Sequence, residues 1–276
     1  MHVPVDLKNM YKTGRLVPFI GAGASMSVTW SKDGTEQRAP SWREMVNLAI
    51  EQMGISPPEL LRARGTDLQI LEYFKLVNHG VAPLTNQLFA RLQPSENALQ
   101  DSKLHEALAA LDQCRVFYTT NYDDFLERAF KLHGRKARVV DIEAHMGSRN
   151  TDTEIVKFHG DFNFPSSMVL TESDYEQRLK LQSPLDYRLS SDLLGRGVLF
   201  IGYSFSDYNI SYLFRLVNEQ FQALPETRSG RRAYIVVADP SDFEIRLFQS
   251  RNIEILPVSG KSRTEDIVKI LQEIRR

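Results

Sequence analysis

LVPFIGAGAS, residues 16–25, is the stretch that decides the fold. Its first five residues form a short apolar run, which predicts a buried strand. The small residues after the run would let the backbone approach an anionic group closely, and Ser25 could donate its hydroxyl. We therefore predict a turn that holds the pyrophosphate of a dinucleotide, built from Gly21, Ala22, Gly23 and Ser25.

The turn does not identify a ligand by itself. Met26 stands where a dinucleotide-binding fingerprint has its third glycine, and no Gly-Lys-Ser or Gly-Lys-Thr follows to make a P-loop. Two glycines in a tight turn are also common in proteins that bind no nucleotide.

Further apolar runs bounded by turn residues predict strands along the rest of the chain. They lie at residues 115–118, 137–140, 155–158, 197–201, 233–238 and 253–257. Amphipathic patterns predict helices at 122–132, 208–221, 243–249 and 264–274. Strands that alternate with helices indicate an α/β fold, a Rossmann-like doubly wound parallel sheet, with residues 1–276 as a single domain.

Residues 41–112 are predicted to be a helical insertion in this domain, because they hold no convincing strand pattern. The insertion begins with the signature of a capping box, in which Ser41 is followed three residues later by Glu44. Helix-stopping residues cluster at 54–58, 80–83 and 93–97 and divide it.

Ligands of open parallel sheets bind beyond the carboxyl ends of the strands, so the residues that follow each apolar run are the candidate site. After the second run come Thr120, Asn121 and Asp123, and after the fourth comes His159. The Asn121 amide can orient a ribose hydroxyl or a water molecule, and a histidine can act as a general base. The run at 197–201 is followed by the turn residues Gly202, Ser204 and Asp207.

Each of these residues also has a purely structural interpretation. Asp123 and Asp207 are suited to cap the helices that follow them, and Asn121 is open to the same interpretation. A histidine whose nitrogens are satisfied by neighbouring groups is more common than a catalytic one. The functional interpretation rests on the four clusters sharing one edge of the sheet.

Composition and charge argue against several classes of protein. The chain of 276 residues has a net charge of −1, which argues against a nucleic-acid-binding surface. Its single cysteine, Cys114, lies beside an apolar run and is predicted to be a buried, inert thiol. We find neither a secretory leader nor an apolar run long enough to span a bilayer, so we expect a cytoplasmic protein without membrane contact.

Taken in order, four motifs resemble the sirtuin family, specifically the prokaryotic sirtuin-like NADase domains of antiviral defence systems. The motifs are GAGAS at 21–25, TTNYD at 119–123, HG at 159–160 and GYS at 202–204. The resemblance implies an NAD-binding Rossmann-like fold in which Asn121 and His159 are essential for cleaving the nicotinamide–ribose bond. It also implies that Ser204 and its neighbours lie on the adenosine side of the NAD⁺.

Two departures separate the chain from the protein deacylases of that family. Deacylases carry a zinc module built from four cysteines, and this chain has one cysteine, so we expect no metal. Residues 26–30 also lack the Ile-Pro-Asp-Phe-Arg character that follows the glycine turn in deacylases. The defence-type relatives share both departures, and they hydrolyse NAD⁺ to nicotinamide and ADP-ribose.

We therefore predict an NAD⁺ glycohydrolase in which Asn121 positions the attacking water or a ribose hydroxyl and His159 accepts the proton. Asp123 would orient these groups or contribute negative charge. The alternatives are a non-catalytic module that senses NAD⁺ or ADP-ribose, a zinc-free NAD-dependent protein deacylase, and a nuclease or DNA-contacting protein.

Regulation is expected from outside the chain, because an NADase that is always active would poison its host. The resemblance implies control by homo-oligomerisation or by a partner such as a HerA-like ATPase or a short Argonaute. The final amphipathic helix ends near residue 276, so we expect any sensor domain to belong to a separate subunit or to sequence missing here.

Overall fold

The computed structural model describes residues 3–147, 153–180, 183–203 and 233–276. Two predicted site residues, Ser204 and Asp207, lie outside the described residues, as does the helix predicted at 208–221. The described strands are β1 (Leu16–Ile20), β2 (Thr29–Lys32), β3 (Thr35–Arg38), β4 (Val116–Thr119), β5 (Arg138–Val140), β6 (Glu154–Lys157), β7 (Gly197–Ile201), β8 (Ala233–Ala238) and β9 (Ile253–Val258).

Seven of these strands form one sheet in the order β5-β6-β4-β1-β7-β8-β9. All of their pairings are parallel. The chain moves from β1 to one side of the sheet for β4, β5 and β6, and then returns to the other side of β1 for β7. The loops after β1 and β7 therefore flank the point where the strand order reverses, which is where doubly wound sheets bind their ligands.

The described α-helices surround this sheet. They are α1 (Val5–Lys12), α2 (Ala22–Ser25), α3 (Trp42–Gln52), α4 (Glu59–Arg62), α5 (Asp67–Val77), α6 (Ala82–Arg91), α7 (Glu96–Gln100), α8 (Lys103–Ala109), α9 (Phe125–Leu132), α10 (Glu172–Leu179), α11 (Pro184–Gly195), α12 (Asp242–Gln249) and α13 (Arg263–Arg275). None of the helices in the described ranges is both long enough and apolar enough to span a lipid bilayer.

Both faces of the sheet are covered, which explains why the strands have no polar alternation. Along β1, Leu16 and Ile20 face a core that includes residues of α1, α8 and α13. Val17 and Phe19 face the opposite core, which includes residues of α11 and α12. The predicted doubly wound parallel sheet is confirmed, and each predicted strand is found within one residue of its expected ends.

Residues 41–111, all of which the structure describes, form six helices and no strand, as the predicted helical insertion requires. The capping box at Ser41 is present: its hydroxyl accepts from the Glu44 N–H, and the Glu44 carboxylate accepts from the Ser41 N–H. This segment packs on a third core around Trp30, Met45 and Phe125. The division of the chain into domains stays a prediction.

A two-stranded hairpin precedes the insertion and was not predicted. β2 and β3 pair antiparallel, and Asp33 and Gly34 form the turn with φ angles of 52° and 75°. Positive φ at both central residues is typical of the two-residue turns that join antiparallel strands. Trp30 on this hairpin is buried and meets the edge of Phe125, so the hairpin ties the insertion to the helix after β4.

Candidate active site

The glycine bends after β1 (the first bend) and after β7 (the second bend) are in direct backbone contact. The Gly21 N–H donates to the Ile201 carbonyl at 2.8 Å, and the Gly23 N–H donates to the Gly202 carbonyl at 2.8 Å. A Cβ on Gly202, whose φ is +81°, would lie 2.7 Å from the Ala24 nitrogen. Glycine is required here because any side chain would push the two bends apart.

This contact gives the glycines of the predicted phosphate turn a structural role. The amides of Gly21 and Gly23 are consumed by bonds to the other bend, so neither is free to donate to a phosphate. The glycines permit two backbones to approach each other. That they also contact a dinucleotide stays a prediction.

Tyr203 ties the same two bends to the loop after β4. Its hydroxyl donates to the Ile20 carbonyl at 3.1 Å and lies 3.0 Å from the Thr120 hydroxyl. Its ring is 2% exposed and packs against Phe19. The first, second and fourth predicted clusters therefore meet at one edge of the sheet.

Asn121 is held rigidly by the first bend. Its side-chain nitrogen donates to the Gly21 carbonyl at 3.1 Å and to the Ser25 hydroxyl at 2.9 Å. Both contacts are acceptors, so they fix which end of the amide is the nitrogen. The side-chain oxygen of Asn121 has no hydrogen-bond partner within the described ranges, and it remains available to accept from a ligand.

Asp123 lies next to Asn121 and Ser25, and its carboxylate both caps a helix and has a shifted pKa. Its carboxylate accepts from the Phe125 N–H at 3.1 Å, at the start of α9, as the helix-capping interpretation expects. Burial raises the pKa of Asp123, while Lys157 and a hydrogen bond from Ser25 oppose that shift. The Ser25 hydroxyl thus accepts from Asn121 and also lowers the pKa of Asp123, which links the two predicted catalytic residues.

Lys157, at the end of β6, holds the loop after β4 in place. Its ammonium group is fully buried and donates to the carbonyls of Tyr122 at 3.1 Å and Asp123 at 2.6 Å. It also pairs with Glu127 at 3.0 Å and with Asp161. Burial alone would lower the pKa of Lys157, but the two carboxylates raise it, so the ammonium stays charged.

His159 follows the same strand and is 1% exposed. Neither ring nitrogen has a hydrogen-bond partner among the described residues. The ring packs against Phe158 and the edge of Tyr175. Burial and the neighbouring Arg178 charge lower its pKa well below 6.5, so the imidazole is neutral at pH 7.

A histidine with two orphan nitrogens does not fit the structural interpretation, in which neighbours satisfy both. The structure does not, however, place the imidazole among the residues that line the cavity at Asn121. Asn121 and Asp123 therefore meet the first bend, and His159 lies outside that group. Its catalytic role stays a prediction.

The cavity beside Asn121 contains about 640 Å³ of empty space, including its opening to solvent. One wall is the first bend and the loop after β4. The other wall is apolar and comes mostly from the helical insertion, with Ala39, Pro40 and Phe162 from outside it. Its lining residues are Ala22, Ser25, Ala39, Pro40, Ser41, Trp42, Met45, Leu88, Leu92, Thr120, Asn121, Tyr122, Asp123 and Phe162.

Sequence reasoning missed Lys157, the Tyr203 hydroxyl and the aromatic wall made by Trp42 and Phe162. A signal existed for Lys157: a charged residue inside the apolar run 155–158 must find buried partners. No local signal marked the aromatic wall. Across the described ranges, no group of three or more His, Cys, Asp or Glu side chains could hold a metal ion.

Cys114 has the inert character that was predicted. It is fully buried, and burial raises the pKa of its thiol to about 12. The thiol therefore stays protonated near neutral pH.

Comparison with known proteins gives four findings. A family model described as "SIR2-like domain" matches residues 115–256, slightly more than half of the chain. The chain is 27% identical over 239 residues to "NAD(+) hydrolase ThsA" of Bacillus cereus (strain MSX-D12), covering 83% of this chain and 46% of that protein. It is 26% identical over 268 residues to "Defense-associated sirtuin 2" of Bacillus subtilis, covering 92% of this chain and 24% of that protein.

A solved structure described as "Structural Basis for the Mechanism and Regulation of Sir2 Enzymes" aligns over 99% of both chains. The sequence identity is 14% and the TM-score is 0.48. The chain spans less than half of the length of the two curated relatives.

Proposed function

Because this chain belongs to the SIR2-like family, we propose that it is an NAD⁺ glycohydrolase that cleaves the nicotinamide–ribose bond. The products are nicotinamide and ADP-ribose. One observation carries the proposal: the Asn121 amide is locked by Gly21 and Ser25, and its oxygen is left without a partner beside the cavity. The name of the Bacillus cereus relative, an NAD(+) hydrolase, supports the same reaction.

The reaction needs a cationic leaving group and a nucleophile. The C1′–N bond breaks, its electron pair moves to the ring nitrogen, and nicotinamide leaves as a neutral molecule. Water forms the new bond to C1′ and releases one proton. The transition state resembles an oxocarbenium ion, so the site must hold the ribose and stabilise positive charge.

Asn121 holds the water or a ribose hydroxyl in line with C1′, using the side-chain oxygen that no protein group occupies. Asp123 is connected to Asn121 by Ser25, which interacts with both residues. Its carboxylate places negative charge near the developing cation. Trp42 and Phe162, in the apolar part of the cavity, suit the nicotinamide ring.

His159 accepts the proton in this proposal. Its lowered pKa keeps the imidazole neutral, and its two orphan nitrogens leave one free to accept. Because the imidazole does not line the cavity, proton transfer requires that bound NAD⁺ opens a path to it. The predicted contacts of Gly21, Ala22, Gly23, Thr120, Gly202, Ser204 and Asp207 with the dinucleotide are part of the same proposal.

The test is nicotinamide release, measured by chromatography after incubation of the purified chain with NAD⁺. N121A and H159A should each lower turnover by at least about 100-fold, as expected for loss of a positioning group or a general base. H79N, at an exposed histidine, is the matched control and should retain activity. Near-normal turnover in N121A or H159A, with wild-type circular dichroism, would remove that residue from the mechanism.

The same assay separates the sensing module and the zinc-free deacylase from the NAD⁺ glycohydrolase. Binding of NAD⁺ or ADP-ribose without turnover would favour a sensing module, provided the assembled and activated form is also tested. Turnover that appears only with an acylated lysine peptide would favour a zinc-free deacylase.

We also propose that the protein acts in antiviral defence, in the cytoplasm, where its activation depletes NAD⁺. The name of the Bacillus subtilis relative, a defence-associated sirtuin, supports this role. Activity would be controlled by homo-oligomerisation or by a partner such as a HerA-like ATPase or a short Argonaute. NAD⁺ turnover measured with and without the protein encoded beside this one tests the dependence on a partner.

A further inference from the structure

Arg263, the first residue of α13, reaches the point where the two glycine bends meet. A Cβ built on Gly23 would lie 3.0 Å from Nη2 of Arg263 and 2.8 Å from the Gly202 Cα. The guanidinium therefore lies against the first bend, on the edge of the sheet that holds Asn121. α13 reaches this edge because it follows β9 and then packs back against α8 and α1.

The charge of Arg263 is not matched by any of the residues that the structure describes. The residue is half-buried, and burial lowers the pKa of its guanidinium. None of the described residues forms an ion pair or a hydrogen bond with it. Arg135 shows the contrast: burial also lowers its pKa, but it donates to the carbonyls of Leu108, Ala109, Leu111 and Cys114 and to the Thr153 hydroxyl.

Several donors of the neighbouring bend are already used within the protein. The Gly21 and Gly23 amides bond to the second bend, and the Asn121 amide nitrogen has two acceptors. The residues that line the adjacent cavity include no lysine or arginine. Within the described part of the chain, Arg263 is thus a cation that contacts the bend and has no protein partner. Guanidinium groups bind phosphate oxygens through two parallel hydrogen bonds.

We propose that Arg263 binds the pyrophosphate of the dinucleotide. The inference rests on the proposed function, because it assigns one residue to the ligand of that site. In this arrangement α13 supplies the phosphate contact that the glycine amides cannot make, and the glycines serve to bring the two bends and the arginine together.

Isothermal titration calorimetry on the full chain tests this role, with ADP-ribose and adenosine as the two ligands. R263Q should weaken ADP-ribose binding about 10- to 100-fold, the usual effect of one lost charged hydrogen-bonding group. Adenosine has no phosphate, so its affinity should change less than about twofold. R276Q, at the exposed end of the same helix, is the matched control and should bind both ligands as the wild type does.

Thermal melting without ligand gives an independent readout. If Arg263 has no protein partner, R263M should melt at the wild-type temperature or above, because it removes an unpaired, partly desolvated charge. A lower melting temperature would mean that the protein itself pairs with Arg263, and this would overturn the proposal.

The binding outcomes separate the two levels of inference. If the wild-type chain binds neither ligand, the proposed function fails, and the role of Arg263 fails with it. If the wild type binds ADP-ribose and R263Q binds it equally well, only the role of Arg263 is refuted. Equal losses for ADP-ribose and adenosine would also refute it, because they would indicate general disruption of the site.

Discussion

Gly202 is the position at which a single methyl group should separate the two bends of the site. Its φ of +81° lies in the left-handed region. A Cβ there would lie 2.7 Å from the Ala24 nitrogen and 2.8 Å from the Gly21 carbonyl oxygen. Both atoms belong to the backbone, so neither can swing aside as the end of a side chain would. G202A must therefore move one bend relative to the other.

The expected loss of stability has two parts. An alanine in the left-handed region costs about 1–2 kcal/mol, and forcing an extra methyl group into a packed region costs about 1–3 kcal/mol. Gly134 supplies a control for the first part alone, because its φ is +73° and a Cβ there would meet nothing within 4 Å. G202A should thus lower the free energy of unfolding by about 1–3 kcal/mol more than G134A.

Urea denaturation of the wild type, G134A and G202A measures this difference, and the effect of alanine on the unfolded chain is common to both variants. Because the Gly21 carbonyl also holds the Asn121 amide, G202A should lower nicotinamide release more than G134A does. If G202A is no less stable than G134A, within about 0.5 kcal/mol, the close contact between the bends does not exist as described.

Three further predictions concern buried titratable side chains. K157M should lower the free energy of unfolding by about 3–5 kcal/mol, because it leaves buried carboxylates unpaired; K103M, at an exposed pair, should change it by less than about 1 kcal/mol in the same urea titration. Burial raises the pKa of Glu127 from 4.5 to about 7, so the folded chain loses stability as pH rises across that interval. E127Q should therefore be more stable relative to the wild type at pH 8 than at pH 4.5, and an equal difference at both pH values would contradict the shift. The lowered pKa of His159 keeps the proposed base neutral, so nicotinamide release should show no ionisation near pH 6.5, and a fall in rate centred there would argue against this buried imidazole as the base.

The β2–β3 hairpin and Lys157 each had a signal in the sequence that the predictions did not use. Asp33-Gly34 between Lys32 and Thr35 is a recognised two-residue turn, but the flanking residues are mostly polar and give no apolar alternation. Lys157 was read as part of an apolar strand, although a charge at that place required partners. Asp161, four residues further on, is a local partner, but the Asp123 carbonyl and Glu127 come from a different loop and a different helix, so no local pattern could name those two.

The histidine shows a different limit. Its place after β6 was predicted correctly, because the end of an apolar run is a local property of the sequence. Whether its ring faces the cavity, a neighbour or the interior depends on the packing of Tyr175 and Phe158 around it. The same is true of Asn121, whose amide is oriented by atoms of the first bend.

The sequence by itself determined the seven parallel strands and the edge of the sheet that carries the site. It could do so because strands buried on both faces are continuous apolar runs, and the chain direction of each run assigns its carboxyl end. Only the tertiary structure decided which groups meet there: Gly23 with Gly202, Lys157 with its carboxylates, and Arg263 with the first bend. These contacts join residues far apart in the chain. They depend on side chains and backbone fitting together to within about a few tenths of an ångström, which no periodic pattern encodes.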